Sequence, residues 1–226
     1  GALKHGLAVG FIHPSVSAAG LGLTPADEFR VRDGFVVETV YEVPGDAEGS
    51  WVALTVDPRG RLIASDQYGG LYRIDLTPSG DGKSPEVRRL DVDINGAQGL
   101  LFAFGSLYVN VNSQDMPSGV YRLTDTNGDD QFDRREHLIE LNAGGEHGPH
   151  ALILSANGQR IFLAAGNNTF LPDQIVRSRV TKVWGEDHLL GRMPDARGHN
   201  ASRLAPGGFV LSFDRDGGDR ELVAIG

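Results

Sequence analysis

The 226-residue chain contains no cysteine. That excludes disulfides, thiolate metal sites, a thiol nucleophile and the CxxCH attachment of a c-type haem. Long apolar runs are missing too. The one near the beginning is broken by His13 and Pro14 and falls far short of the roughly 20 residues that a membrane-spanning helix needs, so no membrane span is expected. Basic charge is in deficit, with 21 Lys and Arg against 30 Asp and Glu for a formal net charge of -9. A phosphate-backbone ligand normally requires a basic face; nucleic acid is therefore not an expected partner, and small molecules or cations fit better.

What the chain has in plenty is glycine, 31 residues beside 11 prolines, with 40% hydrophobic and 23% charged residues. So many turn formers around an ordinary apolar content describe a folded, short-stranded β protein, not a disordered one. Nothing marks a linker, so one domain is expected over residues 29–226. Residues 1–28 read as a leader, in which a basic start, a short apolar run and small residues at Val16, Ala18 and Ala19 resemble the remains of a secretory signal. A periplasmic or secreted location is the corresponding expectation.

Phe35 to Tyr41, FVVETVY, is rich in β-branched residues and predicts a first strand. SWVALTVDPRGRLIASDQYGGLYRID then predicts strands at Trp51 to Val56, Arg61 to Ser65 and Gly70 to Asp75, separated by Asp57-Pro58-Arg59-Gly60 and Tyr68-Gly69-Gly70. The same grammar returns in AQGLLFAFGSLYVNVNSQDMPSGVYRLT and again in HALILSANGQRIFLAAGNN. With Trp51, Gln98 and His150 as equivalent points the steps are 47 and 52 residues (98 - 51 and 150 - 98), a blade-like period. The inner strands are nearly continuously apolar, as expected where both faces of a sheet are covered. The reading is all-β, with β-propeller blades; a β-sandwich is the alternative. A fourth unit is expected from Leu204, with strands at Phe209 to Asp214 and Glu221 to Ile225, which makes about four units and an incomplete propeller.

The third repeat carries the clearest candidate chemistry. Glu146, His147 and His150 follow a Gly-Gly pair and directly precede the strands Leu152 to Leu154 and Ile161 to Ala164, joined by the turn Ala156-Asn157-Gly158. Loops of this kind gather near the axis of a radial β fold, where several blades can aim side chains at one pocket. A neutral imidazole accepts a proton at physiological pH, so His147 is a candidate general base with Glu146 to orient it, and His150 a partner or metal ligand. Ordinary polar loop histidines are the plainer alternative, and a Zn²⁺ site would lack a third strong ligand placed by sequence. Gln98 precedes an apolar strand much as His150 does, so it is expected to face the same axis.

Two further stretches stand out. Asp125, Asn127, Asp129, Gln131, Asp133 and Glu136 occupy places one, three, five, seven, nine and twelve of a loop, the spacing by which an EF-hand-like loop wraps Ca²⁺ with oxygen ligands. Asp130 stands where such a loop wants glycine, and the flanks read as strands; an acidic solvated hairpin is the alternative. Phe170 to Arg203 has little strand pattern and carries Trp184, His188, Arg192, Arg197 and His199. So long an excursion is either a lid or a surface insertion.

AQGLLFAF, EHGPHALILSANGQRIFLAAGNN and LAPGGFVLSFDRDG resemble successive blades of the soluble quinoprotein glucose/sorbosone dehydrogenase family, above all its uncharacterised bacterial members, from about Phe35 to the end. The resemblance implies a six-bladed propeller, so that about four of six blades are expected here. It further implies pyrroloquinoline quinone (PQQ) and Ca²⁺ as cofactors, oxidation of a sugar, polyol or related aldehyde outside the cytoplasm, and a cytochrome as electron acceptor. It makes His147 the base that takes the hydroxyl proton and Glu146 the neighbouring acid, and it turns Gln98, His150, Asn167 and Asn168 toward the cofactor. Departures are visible. The family's strand-end glutamine falls on Ala97, one place before Gln98. Its Gly-Asp-Gln is Gly166-Asn167-Asn168, and His150-Ala151 replace the usual Gly and Arg. Two other functions stay open: a non-catalytic propeller that binds carbohydrate or a protein, and a metal-dependent lactonase-like propeller.

Overall fold

Three antiparallel meanders follow one another in the computed structural model, which describes residues 29–76, 85–180 and 207–225. The first sheet joins β1 (Trp51–Val56), β2 (Leu62–Asp66), β3 (Leu71–Asp75) and β4 (Glu86–Arg89), and the second β5 (Ala97–Ala103), β6 (Ser106–Val111), β7 (Gly119–Thr124) and β8 (Arg134–Glu140). The third holds β9 (Pro149–Leu154), β10 (Ile161–Ala165), β12 (Phe209–Phe213) and β13 (Glu221–Ile225), with the two-residue β11 (Arg177–Ser178) running parallel to β13 at its edge. The fold is all-β; among the described residues the one helix is a single turn, α1 (Gly45–Glu48), and none is long and apolar enough to cross a membrane. The leader, residues 1–28, and residues 181–206 with Trp184, His188, Arg192, Arg197 and His199 lie outside the described residues.

Two expectations need correction. The strands expected to open a fourth unit are present but complete the third sheet: Ile161 pairs with Phe213 and Ala165 with Phe209, and β12 then pairs with β13. The free edge of β10 takes them because loop-closure entropy grows only slowly with loop length, so a long excursion between neighbouring strands costs little. FVVETVY is not a strand. Phe35 and Val36 are exposed, and Tyr41 and Val43 instead pack on the first sheet's outer face. Tyr41 stacks on Trp51 at 5.5 Å and Trp51 on Tyr72 at 5.3 Å, while Tyr41 Oη donates to Glu48 Oε1 at 2.8 Å. Burial, then the Glu48 bond, pushes the Tyr41 phenol up to about 12. Strand propensity without a partner edge yields to side-chain packing.

The middle sheet makes the core. Leu107, Val109, Leu123 and Tyr121 meet Ile63 and Leu71 of the first sheet on one face, and Tyr108, Val120 and Ile139 meet Leu163, Leu211 and Phe213 of the third on the other. β6 is accordingly buried along its whole length. The first strands also touch in series, β1 against β5 and β5 against β9.

Each of those first strands is irregular near its beginning. Pairing slips between Trp51 and Ala53, between Ala97 and Gly99, and between Pro149 and Leu152 opposite Ala165 and Leu163. The bulged residues are thus Val52, one place after the repeat point Trp51, and Gln98 and the pair His150-Ala151, which sit at the other two. A bulge adds a residue, bends the strand and re-aims a side chain. The internal repeat is therefore structural as well as periodic.

Candidate functional site at the start of the third sheet

Residues 142–150 fold back against the end of β10. Ala143 forms a bridge with Thr169, Asn168 N donates to His147 O at 3.0 Å, and Asn168 Nδ2 donates to Glu146 O at 2.6 Å. His147 itself is half-buried and adopts φ 63, a left-handed conformation that costs a residue with a Cβ about 1–3 kcal/mol and persists only where the surroundings impose it. Those surroundings are tight. A Cβ on Gly166 would lie 2.3 Å from His147 O, so only glycine lets the loop come this close to the strand end.

The left-handed turn presents the imidazole to Asn167. His147 Nδ1 and Asn167 Oδ1 are 2.9 Å apart, a hydrogen bond that fixes the ring. Asn167 and Asn168 are thereby brought together with His147 and Glu146. His150 and Gln98 are not hydrogen-bonded to them in any described contact. His150 is exposed, its carbonyl accepting from Asn110 Nδ2 at 3.1 Å, and Gln98 Nε2 donates to Gln67 O at 3.2 Å. The two bulges are nonetheless adjacent: a Cβ on Gly99, next to Gln98, would lie 1.9 Å from His150 O.

Two asparagines that sequence reasoning passed over carry much of this geometry. Asn110 is fully buried in β6 and holds the β9 backbone at His150; Asn112 Nδ2 donates to Gly145 O at 2.8 Å and so ties down the glycine pair. Their signal was an amide twice interrupting an apolar strand, LYVNVN, since a buried amide must find partners.

The Asp125 loop connects β7 to β8 and is held by its own oxygens. Asp125 accepts from Gly128 N and Asp130 N, Asn127 from Asp129 N, Asp129 from Gln131 N, and Asp133 from both N and Oγ1 of Thr126. Glu136 stands in β8, where Arg122 and Arg134 take its carboxylate and the Arg122 bond foremost holds it below the usual carboxylate range. Among the described residues no three His, Asp or Glu side chains converge as a metal set. The residue that departed from the EF-hand pattern is the anchor. Asp130 takes the left-handed φ of 71 expected of that place and grips Arg61 with both oxygens, at 2.5 and 2.7 Å, while its carbonyl accepts from Arg73 at 2.7 Å. The Arg61 bond foremost keeps the Asp130 carboxyl below its ordinary range. The loop is thus fastened to the first sheet by guanidinium groups.

Comparison of the sequence with protein-family models and with curated proteins found no match.

Proposed function

We propose that the three sheets are consecutive blades of a β-propeller of the quinoprotein sugar-dehydrogenase type, acting on a hydroxyl of a sugar, polyol or related substrate outside the cytoplasm, with His147 as the base. The observation that carries this reading is the strained His147 turn, a half-buried imidazole at φ 63 whose Nδ1 is fixed by Asn167 at the start of a bulged inner strand. Strain of this kind clusters at sites of function, and an imidazole oriented through one nitrogen is equipped to take a proton with the other. Support for the propeller comes from a middle sheet covered on both faces and from first strands packed in series.

Asn112, Asn167 and Asn168 are neutral amides, a donor set suited to hydroxyl groups. The quinone, a tricarboxylate, calls for cations in addition to the neutral groups that the hydrogen bonds described around His147 join. The chain's own contribution is then the proton half of the oxidation, in which Nε2 takes the substrate hydroxyl proton and the amides hold the sugar. Ca²⁺ in the Asp125 loop is a second element of the proposal, supported by the EF-hand-like spacing of the side-chain oxygens there.

Dye reduction by the protein supplied with PQQ and Ca²⁺, scanned over aldoses and polyols, tests the assignment. Activity that falls about 10²–10⁴-fold in His147→Ala is expected for a lost general base. A folded protein inert toward every aldose and polyol ends the catalytic reading. The same amides also suit a propeller that only binds carbohydrate, and in that case His147→Ala leaves sugar affinity unchanged.

A further inference from the structure

Residues 36–43 have the sequence of a strand and no ladder. VVETVYEV is rich in β-branched residues, and Tyr41 and Val43 pin the segment to the outer face of the first sheet. Among the described residues none of its backbone N–H or C=O groups takes part in a hydrogen bond; the last bond before it runs from Phe35 N to Arg32 O, and the next two end on Pro44 O. Every non-proline residue of the main chain carries a donor and an acceptor, so the segment offers a row of both. Phe35 and Val36 at its start are 62% and 68% exposed.

The outer strands of the three sheets are of two kinds. β4, EVRR, and β8, RREHLIE, are charged along their length, and charge on an edge discourages pairing with another chain. β13, ELVAI, has one charged residue, Glu221, and Arg179 already holds it. The two-residue β11 covers β13 only at Glu221 and Leu222. Beyond that point residues 223–225 have β12 on one side and, among the described residues, no strand on the other. This is an uncharged open edge. One molecule cannot bring it to the unpaired segment, because the segment is fastened to the first sheet and the second sheet stands between the first and the third.

We propose that the segment at residues 36–41 of one molecule adds as a strand to residues 223–225 of β13 in a second copy, so that the chain associates head to tail. Strand addition supplies main-chain hydrogen bonds to both partners, and a contact between two different surfaces of identical chains is heterologous. A second copy is the occupant because this chain carries both halves of the contact. The added strand would also lie beside the apolar outer face of the third sheet, where Ile153 is 61% exposed. Neither half includes the His147 loop, so the contact stands whether or not the enzymatic reading does.

Sedimentation velocity of the full chain at rising concentration tests it. Mass that grows with concentration is expected. Thr39→Pro removes a backbone donor from the segment, and Ala224→Lys gives β13 the charge that β4 and β8 carry; each is expected to weaken association about tenfold or more. Val36→Lys repeats the first substitution without proline. Val36, Thr39 and Ala224 are all exposed, so urea unfolding of the dilute variants should match the wild type. Mixing Thr39→Pro with Ala224→Lys is the sharper measurement, because each keeps the half that the other has lost, and the mixture should form a dimer and grow no further. A wild type that stays monomeric, association that the substitutions at either end leave unchanged, or a mixture that stays monomeric overturns the proposal.

Discussion

The second and third sheets are both apolar on both faces, but among the described residues only the second is covered on both. In β6 every residue is buried, whereas β9 buries Pro149 and Leu152 and leaves Ile153 at 61% exposure. Register explains the pattern. Leu152, Leu163, Leu211 and Leu222 share the face that meets the second sheet, and Ile153 and Phe162 share the opposite one with Ala164 and Val210 nearby. One kind of strand composition thus occurs in two environments. Sequence reports what a face is fit to meet; structure reports what it has met.

The largest effect that can break this comparison lies within one sheet. Leu163→Ala opens a cavity against the second sheet and is expected to cost about 2–5 kcal/mol, whereas Ile153→Ala, one pair away on the opposite face, should stay within about 0.5 kcal/mol. Urea unfolding of the two variants measures both. Equal losses would mean that the outer face of the third sheet is covered in solution and that the contrast drawn above fails.

A smaller effect sharpens the comparison at the other interface, where the first and second sheets join by charge as well as by apolar packing. Asp130→Asn takes one of its two carboxylates from Arg61 and the nearer one from Arg73, leaving both with Asp57 alone, and should cost about 1–3 kcal/mol at neutral pH. The sign with pH follows from the lowered Asp130 carboxyl. Its contribution is complete above the unfolded value near 3.9 and is lost as pH falls through the lower folded value. Wild-type protein should therefore lose more stability than Asp130→Asn below about pH 4. Parallel pH profiles would show that the latch adds nothing.

How far these features were readable from residues alone divides along the same line. The inner strands β1, β2, β5, β6, β9 and β10 announce themselves by nearly continuous apolar sequence, which burial on two faces demands in β6 and which β9 carries with only Pro149 and Leu152 buried. β4, EVRR, and β8, RREHLIE, are outer strands whose charges make them read as loop, which is how edges are kept from pairing. This is why Glu136 looked like the last ligand of a loop when it belongs to a strand. Membership of β12 in the third sheet was illegible for another reason: adjacency in sequence predicts pairing only when the connection is short. In the site, the Gly-Gly pair and the two histidines marked the loop, and Asn167 was already a candidate. The left-handed turn at His147, the support of Asn110 and Asn112, and the bulges that set Gln98 and His150 side by side are products of strand packing, which no local window contains.

The smallest expected effect concerns how the third sheet is fastened where packing is one-sided. Asp219, in the turn between β12 and β13, binds Arg160 at the start of β10 at 2.6 Å and Arg177 of β11 at 2.5 Å. These two pairs tie three strands of the sheet together at one end. The Arg177 bond first and the Arg160 bond second pull the Asp219 carboxyl down to about 2. The group is exposed and screened, so its weight in stability is minor, but its titration is a direct reading of the clamp. A carboxylate whose folded value lies below the unfolded one stabilises above pH 4 and releases that contribution between about pH 4 and 2. Carboxyl NMR should find the Asp219 midpoint near its lowered value in the wild type. Arg177→Ala should move it upward toward 3.9, and Arg160→Ala should move it less. A midpoint that ignores both substitutions would mean that β11 is not held to the sheet by charge, and that the third sheet keeps its edge by backbone pairing alone.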